Sequence, residues 1–186
     1  MRADFKVCID ACVLANIAVC DLLLRLAEKP RLFLPIWSSK IMEEVRNTQL
    51  NKLNWPEHIV NSYHTEIEKS FPDAWVDDYQ HLLPVMKNEE KDRHVLASTV
   101  RSGATVLVTF NLKDFPLEAL QTWHIEALHP QDYLITLYSM SPEIRVNKLH
   151  DISRKRNLSL EDLVLKLGIS LPAFASHIID DLSLEL

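Results

Sequence analysis

The run "ATVLVTF", residues 104–110, is apolar at nearly every position, is too short for a helix, and follows the helix-stopping "RSG". A half-exposed strand alternates apolar with polar side chains, whereas a strand covered on both faces reads as a continuous apolar run. Two further short runs, "FKVCID" at 5–10 and "RLFLPI" at 31–36, share this character, and a last short strand is expected within "HIEALHP". Between them lie stretches with helical spacing: 11–29 up to Pro30, "SSKIMEEVRNTQL" with Ser38 or Ser39 as its cap, residues 56 to about 70, and "EKDRHVLASTVRS" stopped by Gly103. The segment "DDYQHLLPVMKNEE" is expected to hold a short strand or loop. Strands alternating with helices imply parallel βαβ units, hence an α/β fold with a central parallel sheet.

In such sheets, ligand sites gather at the carboxyl ends of the strands. Two ends are marked by polar residues: Asp10 closes the first strand, and Asn111 and Asp114 follow the 104–110 run. Asp92 opens a helix, and Glu44 lies in the helix after Ser38. Each has an ordinary structural reading as a helix cap, a first-turn acid, a turn former or an exposed helix residue. Together they point to a site. Converging carboxylates repel by roughly 4 kcal/mol per pair at 4 Å and an effective dielectric near 20, and hard divalent cations such as Mg²⁺ or Mn²⁺ favour oxygen ligands of this kind. Such ions polarise phosphoryl oxygens and activate water.

From Ser141 onward no strand is expected; three short helices read as an appendage, giving units of 1–140 and 141–186. "SLEDLVLKLGISLPAFASHI" has helix-turn-helix rhythm with Gly168 at the turn, but "LPAFASHIIDDLSLEL" carries no Lys or Arg and Asp180 and Asp181 would repel DNA, so a packing or dimer surface is expected there instead. The cations "RKR" at 154–156 read as a solvated face. Cys8, Cys12 and Cys20, clustered and odd in number, do not describe a disulfide framework or a zinc site and favour a reducing cytoplasm. No span approaches the ~20 apolar residues of a membrane helix. A net charge of −6 excludes a broad nucleic-acid-coating surface but not a local groove. With two glycines the chain has no Walker loop and no dinucleotide fingerprint.

The Asp ending the first strand, the "S-x-x-I-x-x-E"-like helix, the Asp opening a helix that ends in "SGATVLVT", and "N-x-x-D-F" after that strand resemble the PIN domain over residues 5 to 139, including "HPQDYL" near its end. The resemblance implies a three-layer α/β/α sandwich around a parallel sheet, with a short all-helical C-terminal appendage. It also implies a Mg²⁺- or Mn²⁺-dependent endoribonuclease using metal-activated water, of the VapC type that pairs with an antitoxin. The catalytic set it implies is Asp10, Glu44, Asp92 and Asp114, with Asp10, Asp92, Asp114 and Asn111 toward metal and Glu43 as the rival of Glu44. Many members carry Asp where Asn111 stands, so occupancy by one or two ions is left open. Arg93, Lys113, Arg46 and Lys40, near the acids in sequence, are expected to meet the RNA backbone, whereas His94 is expected to be structural. Apolar helices in "HIVNSYHTEI" and the C-terminal segment point to a homodimer. The alternative is an inactive PIN scaffold that binds RNA or protein, for which Asn111 is the support.

Overall fold

The computed structural model describes residues 5–140 and 142–182; Ser141, the expected junction, lies outside the described residues. Four parallel strands form one sheet in the order β2-β1-β3-β4: β1 Lys6–Ile9, β2 Leu34–Ile36, β3 Val106–Val108 and β4 Glu126–Leu128. Val7, Cys8 and Ile9 pair with Val106, Leu107 and Val108 across the centre. Val7, Cys8, Ile9, Leu107 and Val108 are fully buried, as their uninterrupted apolar character requires.

The stretch 11–29 is not one helix. It forms α1, Ala11–Leu14, and α2, Ile17–Ala27. Asn16 separates them because its side chain accepts a hydrogen bond from the Val19 N–H (3.3 Å), and a capping amide starts a helix anew. Ser38 caps α3, Ser39–Asn51, through the Ile41 N–H (3.3 Å). Helix α4 covers Glu57–Ser70. The segment expected as a strand or loop instead contains a 3₁₀ turn, Gln80–Val85, with Pro84 inside it. A second 3₁₀ turn, Glu90–Asp92, leads into α5, Arg93–Ser102, which Gly103 ends in the left-handed conformation (φ 72°). Two unforeseen pieces bridge β3 and β4: a 3₁₀ turn, Leu112–Asp114, and α6, Leu117–Gln121. Helix α7 covers Pro130–Met140.

The strand order reverses direction after β2, so right-handed crossovers carry α2 to one face of the sheet and α5 and α6 to the other. The crevice between the carboxyl ends of β1 and β3 is therefore the switch point of the sheet, the place where chain leaves toward opposite faces.

The remaining helices are α8 Pro142–Lys155, α9 Leu160–Gly168 and α10 Pro172–Leu182. They pack on α2 and α7, and Leu149, Ile152, Leu163, Val164, Phe174 and Ile178 join the same apolar core as the sheet. Polar ties reinforce this: Lys148 donates to the Arg25 carbonyl (2.8 Å), Arg156 pairs with Asp21 (2.8 Å), and the Tyr138 hydroxyl donates to Asp181 (2.6 Å). Gly168 sits where a Cβ would come within 3.3 Å of the Ala175 Cβ, which lets α9 approach α10 closely. Of the α4 residues expected to present an apolar surface, Val60 and Ile67 face the interior and Ile59 faces out. Among the described residues, no helix is long and apolar enough to cross a membrane, and all three cysteines are free.

Candidate active site

Asp10 follows β1 and precedes α1, its backbone N–H donating to the Val108 carbonyl of β3 (3.0 Å). It stands in the capping position yet makes no side-chain cap, unlike Asn16, Ser38 and Ser159 in the same protein. Its carboxylate is committed sideways instead. Oδ2 accepts hydrogen bonds from Thr109 Oγ1 (2.7 Å) and Cys12 Sγ (3.1 Å), and the residue is 4% exposed. Thr109 Oγ1 also accepts from the Asn111 N–H (3.0 Å), so one hydroxyl joins the two strand ends. Burial, followed by the nearby Asp10 charge, pushes the Cys12 thiol up to about 12, so it remains a neutral donor.

Asp92 repeats the pattern at α5: capping position, no side-chain cap. Its Oδ2 is shielded from solvent without a hydrogen bond, although Lys91 Nζ stands 3.5 Å away. Burial is the main cause that raises the Asp92 carboxyl, to about 6; the charges of Asp10 and Asp114 add to it and Lys91 opposes it. Asp114 is 8% exposed, and its Oδ2 accepts from Lys91 Nζ at 3.2 Å. The loop before Lys91 is fastened to the same turn, since the Glu89 N–H donates to the Asp114 carbonyl (3.1 Å).

Asp10, Glu44, Asp92 and Asn111 line one open crevice of about 400 Å³, together with Cys12, Lys91, Asn47, Thr48 and Asn51 of α3, and Lys52 just beyond it. Glu44 rather than Glu43 faces it; Glu43 points outward and pairs with Lys40 (2.9 Å). Glu44 Oε1 also lies 3.3 Å from Nε2 of the buried His94, without hydrogen-bond geometry. Among the described residues, no three His, Cys, Asp or Glu side chains already stand as a closed metal-binding group. Asp10, Glu44 and Asp92 line the crevice, whereas Asp114 is not part of its lining and is joined to it through Lys91. The shielded Asp92 oxygen, which makes no hydrogen bond, suits a hard cation at that place.

The four cations expected to meet RNA divide. Arg93 and Lys40 line a neighbouring cavity of about 560 Å³ with His94 and Glu90, and Arg93 Nε is shielded without a hydrogen bond. Lys113 is exposed beside Asp114. Arg46 is engaged with Glu57 (3.5 Å). Sequence reasoning missed Thr109, Cys12 and Lys91. Thr109 and Cys12 each lie two residues from an expected site residue, which is the signal that could have found them; Lys91 in "EEKD" looks like any lysine of a solvated acidic turn.

No family model matches the chain. It is similar to a protein of Mycobacterium tuberculosis (strain ATCC 25618 / H37Rv) named "Putative ribonuclease VapC50", with 39% identity over 106 residues. That match covers 55% of this chain and 63% of the relative, so the chain matches less than two thirds of the relative's length. The parallel α/β sheet with acids at its switch point thus occurs in a chain similar in sequence to a protein named as a VapC-type ribonuclease.

Proposed function

We propose that this protein is a Mg²⁺- or Mn²⁺-dependent endoribonuclease, acting in the cytoplasm as the toxin of a type II toxin–antitoxin pair. The observation that carries the reading is the shielded, unbonded carboxylate oxygen of Asp92, raised by burial among acids at the crevice between β1 and β3. A carboxylate oxygen withdrawn from water is costly when its counter-charge is an ammonium 3.5 Å away that makes no hydrogen bond to it, and a bound cation removes that cost.

When bound, the ion supplies charge stabilisation to a phosphoryl oxygen and lowers the pKa of a water molecule. Asp10, Asp92 and Asp114 would be the holding carboxylates. Glu44, across the crevice on α3, would orient water or complete the set, and Asn111 could add its amide oxygen. Thr109 and Cys12 keep the Asp10 carboxylate in one orientation, as outer partners of metal ligands do. Arg93, Lys40 and Lys113 receive RNA phosphates along the rim, and Arg46 does so once released from Glu57. No side chain acts as a nucleophile.

The units 1–140 and 141–186 are likewise proposed, as a nuclease unit and its helical appendage. The appendage shares the core with α2 and α7, so truncation after residue 140 should expose apolar surface and lower solubility. The strongly exposed Ile169 and the exposed Leu165 of the C-terminal helices support a homodimer or antitoxin contact there.

The decisive measurement is cleavage of an RNA by purified protein with Mn²⁺, then with EDTA, then with Asp10→Asn. Loss of more than about 100-fold is expected for the variant, beyond what an outer-shell contact costs. Cleavage that persists in EDTA, or in a folded Asp10→Asn protein, overturns the reading. Binding of RNA without cleavage favours the inactive scaffold, which neutral Asn111 supports.

A further inference from the structure

We propose that the Lys91 ammonium is a built-in second cation of the acidic crevice, so that the site takes a single divalent ion. This rests on the metal-centre reading above and concerns how many ions it holds. Lys91 Nζ donates to Asp114 Oδ2 at 3.2 Å and lies 3.5 Å from Asp92 Oδ2. It bridges the two carboxylates on the β3 side, as an inorganic cation would. On the β1 side, among the described residues, Asp10 Oδ2 receives the neutral donors Thr109 and Cys12 instead.

The placement follows from the backbone. The Glu89 N–H is held by the Asp114 carbonyl (3.1 Å), and the Asp92 N–H by the Glu89 carbonyl (2.9 Å), so the turn carrying Lys91 is pinned above Asp114. The Lys91 side chain is 64% exposed, which means charge and not packing holds its ammonium over the acids. Asn111 points the same way. At the strand end beside Asp114 it offers a dipole in place of a charge, which leaves that side with one carboxylate fewer to attract a metal.

Two divalent ions in a phosphodiesterase centre stand ~4 Å apart and share carboxylates. Here the second position would have to take Asp114 and Asp92 from an ammonium already within hydrogen-bonding or ion-pairing reach of both. A mobile lysine can yield that place only to an ion that binds more strongly than its own tethered charge, and the neutral amide weakens such an ion. The ammonium also presents N–H donors at the crevice mouth, where a phosphate oxygen would approach.

The test counts Mn²⁺ ions by calorimetry and by electron paramagnetic resonance of free Mn²⁺, using the whole chain as wild type, Lys91→Arg, Lys91→Met and Lys91→Met/Asn111→Asp. One ion per chain is expected for wild type and Lys91→Arg. Lys91→Met should bind its ion about tenfold more tightly, since a like charge a few ångströms from a cation site is gone. The double variant should bind two ions. Melting of the metal-free protein provides a second readout, with Lys91→Met lower than wild type and the gap closing as Mn²⁺ is added. Two ions in wild type overturn the proposal, as does an unchanged affinity in Lys91→Met or a single ion in the double variant. In those cases the metal-centre reading survives; absence of Mn²⁺ binding in every variant removes both.

Discussion

Asp10 and Asp114 are both buried acids beyond neighbouring strands, yet they are stabilised in opposite ways. Asp10 is held by uncharged donors, a threonine hydroxyl at 2.7 Å and a thiol at 3.1 Å. Asp114 is held by a charge, the Lys91 ammonium at 3.2 Å. Neutral donors orient a carboxylate while leaving its charge available, whereas an ammonium cancels it. The β1 side of the crevice is thus prepared to attract a cation, and the β3 side is already partly neutralised.

The sharpest way to break this comparison is to remove each charge in turn. Asp10→Asn should abolish Mn²⁺ binding by titration and reduce cleavage more than 100-fold or so, exceeding an outer-shell loss. Asp114→Asn should also cut turnover by orders of magnitude but retain more of the Mn²⁺ affinity, because its charge was already matched and Lys91 is released. Equal losses of affinity, measured side by side, would erase the distinction between the two sides.

Thr109→Val, nearly the same shape as threonine, tests the neutral arm. It deletes the donor to Asp10 and leaves the Asn111 N–H without its acceptor, so metal affinity should fall about 10–100-fold. Chemical denaturation should show a stability loss of roughly 1–3 kcal/mol, as for an unmet buried polar group. Metal affinity equal to wild type would mean that the hydroxyl does not orient Asp10.

Asn111→Ala should cost less, about tenfold in turnover, at the low end for a lost outer contact. Asn111→Asp should hold or raise Mn²⁺ affinity while lowering the melting temperature of the metal-free protein through added repulsion. A parallel titration and melting series reads both effects.

The smallest effect concerns Asp92. Its carboxyl is raised from 3.8 to about 6, so the folded state binds the extra proton between those values and stability falls as pH rises through that window. Above pH 6 the penalty is fully present. Metal-free Asp92→Asn should therefore melt roughly 3–6 °C above wild type at pH 7.5, on the scale usual for a chain of this size. The difference should close as pH approaches 4. The same substitution should blunt the rise in melting temperature that Mn²⁺ produces in wild type. A constant difference between pH 4 and 7.5 would show that Asp92 is not held in a charge-hostile place.

Much of this was legible in order and spacing alone. Uninterrupted apolar runs announce buried parallel strands because no face of such a strand meets water, and the alternation with helices then determines where loops and ligands collect. Asp10 and Asn111 were readable as strand-end residues, Asp92 as an acid at a helix start and Glu44 as an acid within a helix, since each directly flanks or lies within a periodic segment. Asn16 was a weaker signal: a capping residue inside an apolar helical rhythm is visible, but whether it breaks the helix depends on packing. Other features were decided only by tertiary structure. Glu44 turns to the crevice and Glu43 to Lys40 because α3 has one face toward α1 and α5 and another toward solvent. Thr109 reaches Asp10 across 99 positions of chain, and Lys91 reaches Asp114 across 23. Local propensity concerns residues a turn or two apart. A side chain's charge partner depends on which distant segments the sheet brings together, and no local rule in the sequence carries that distance.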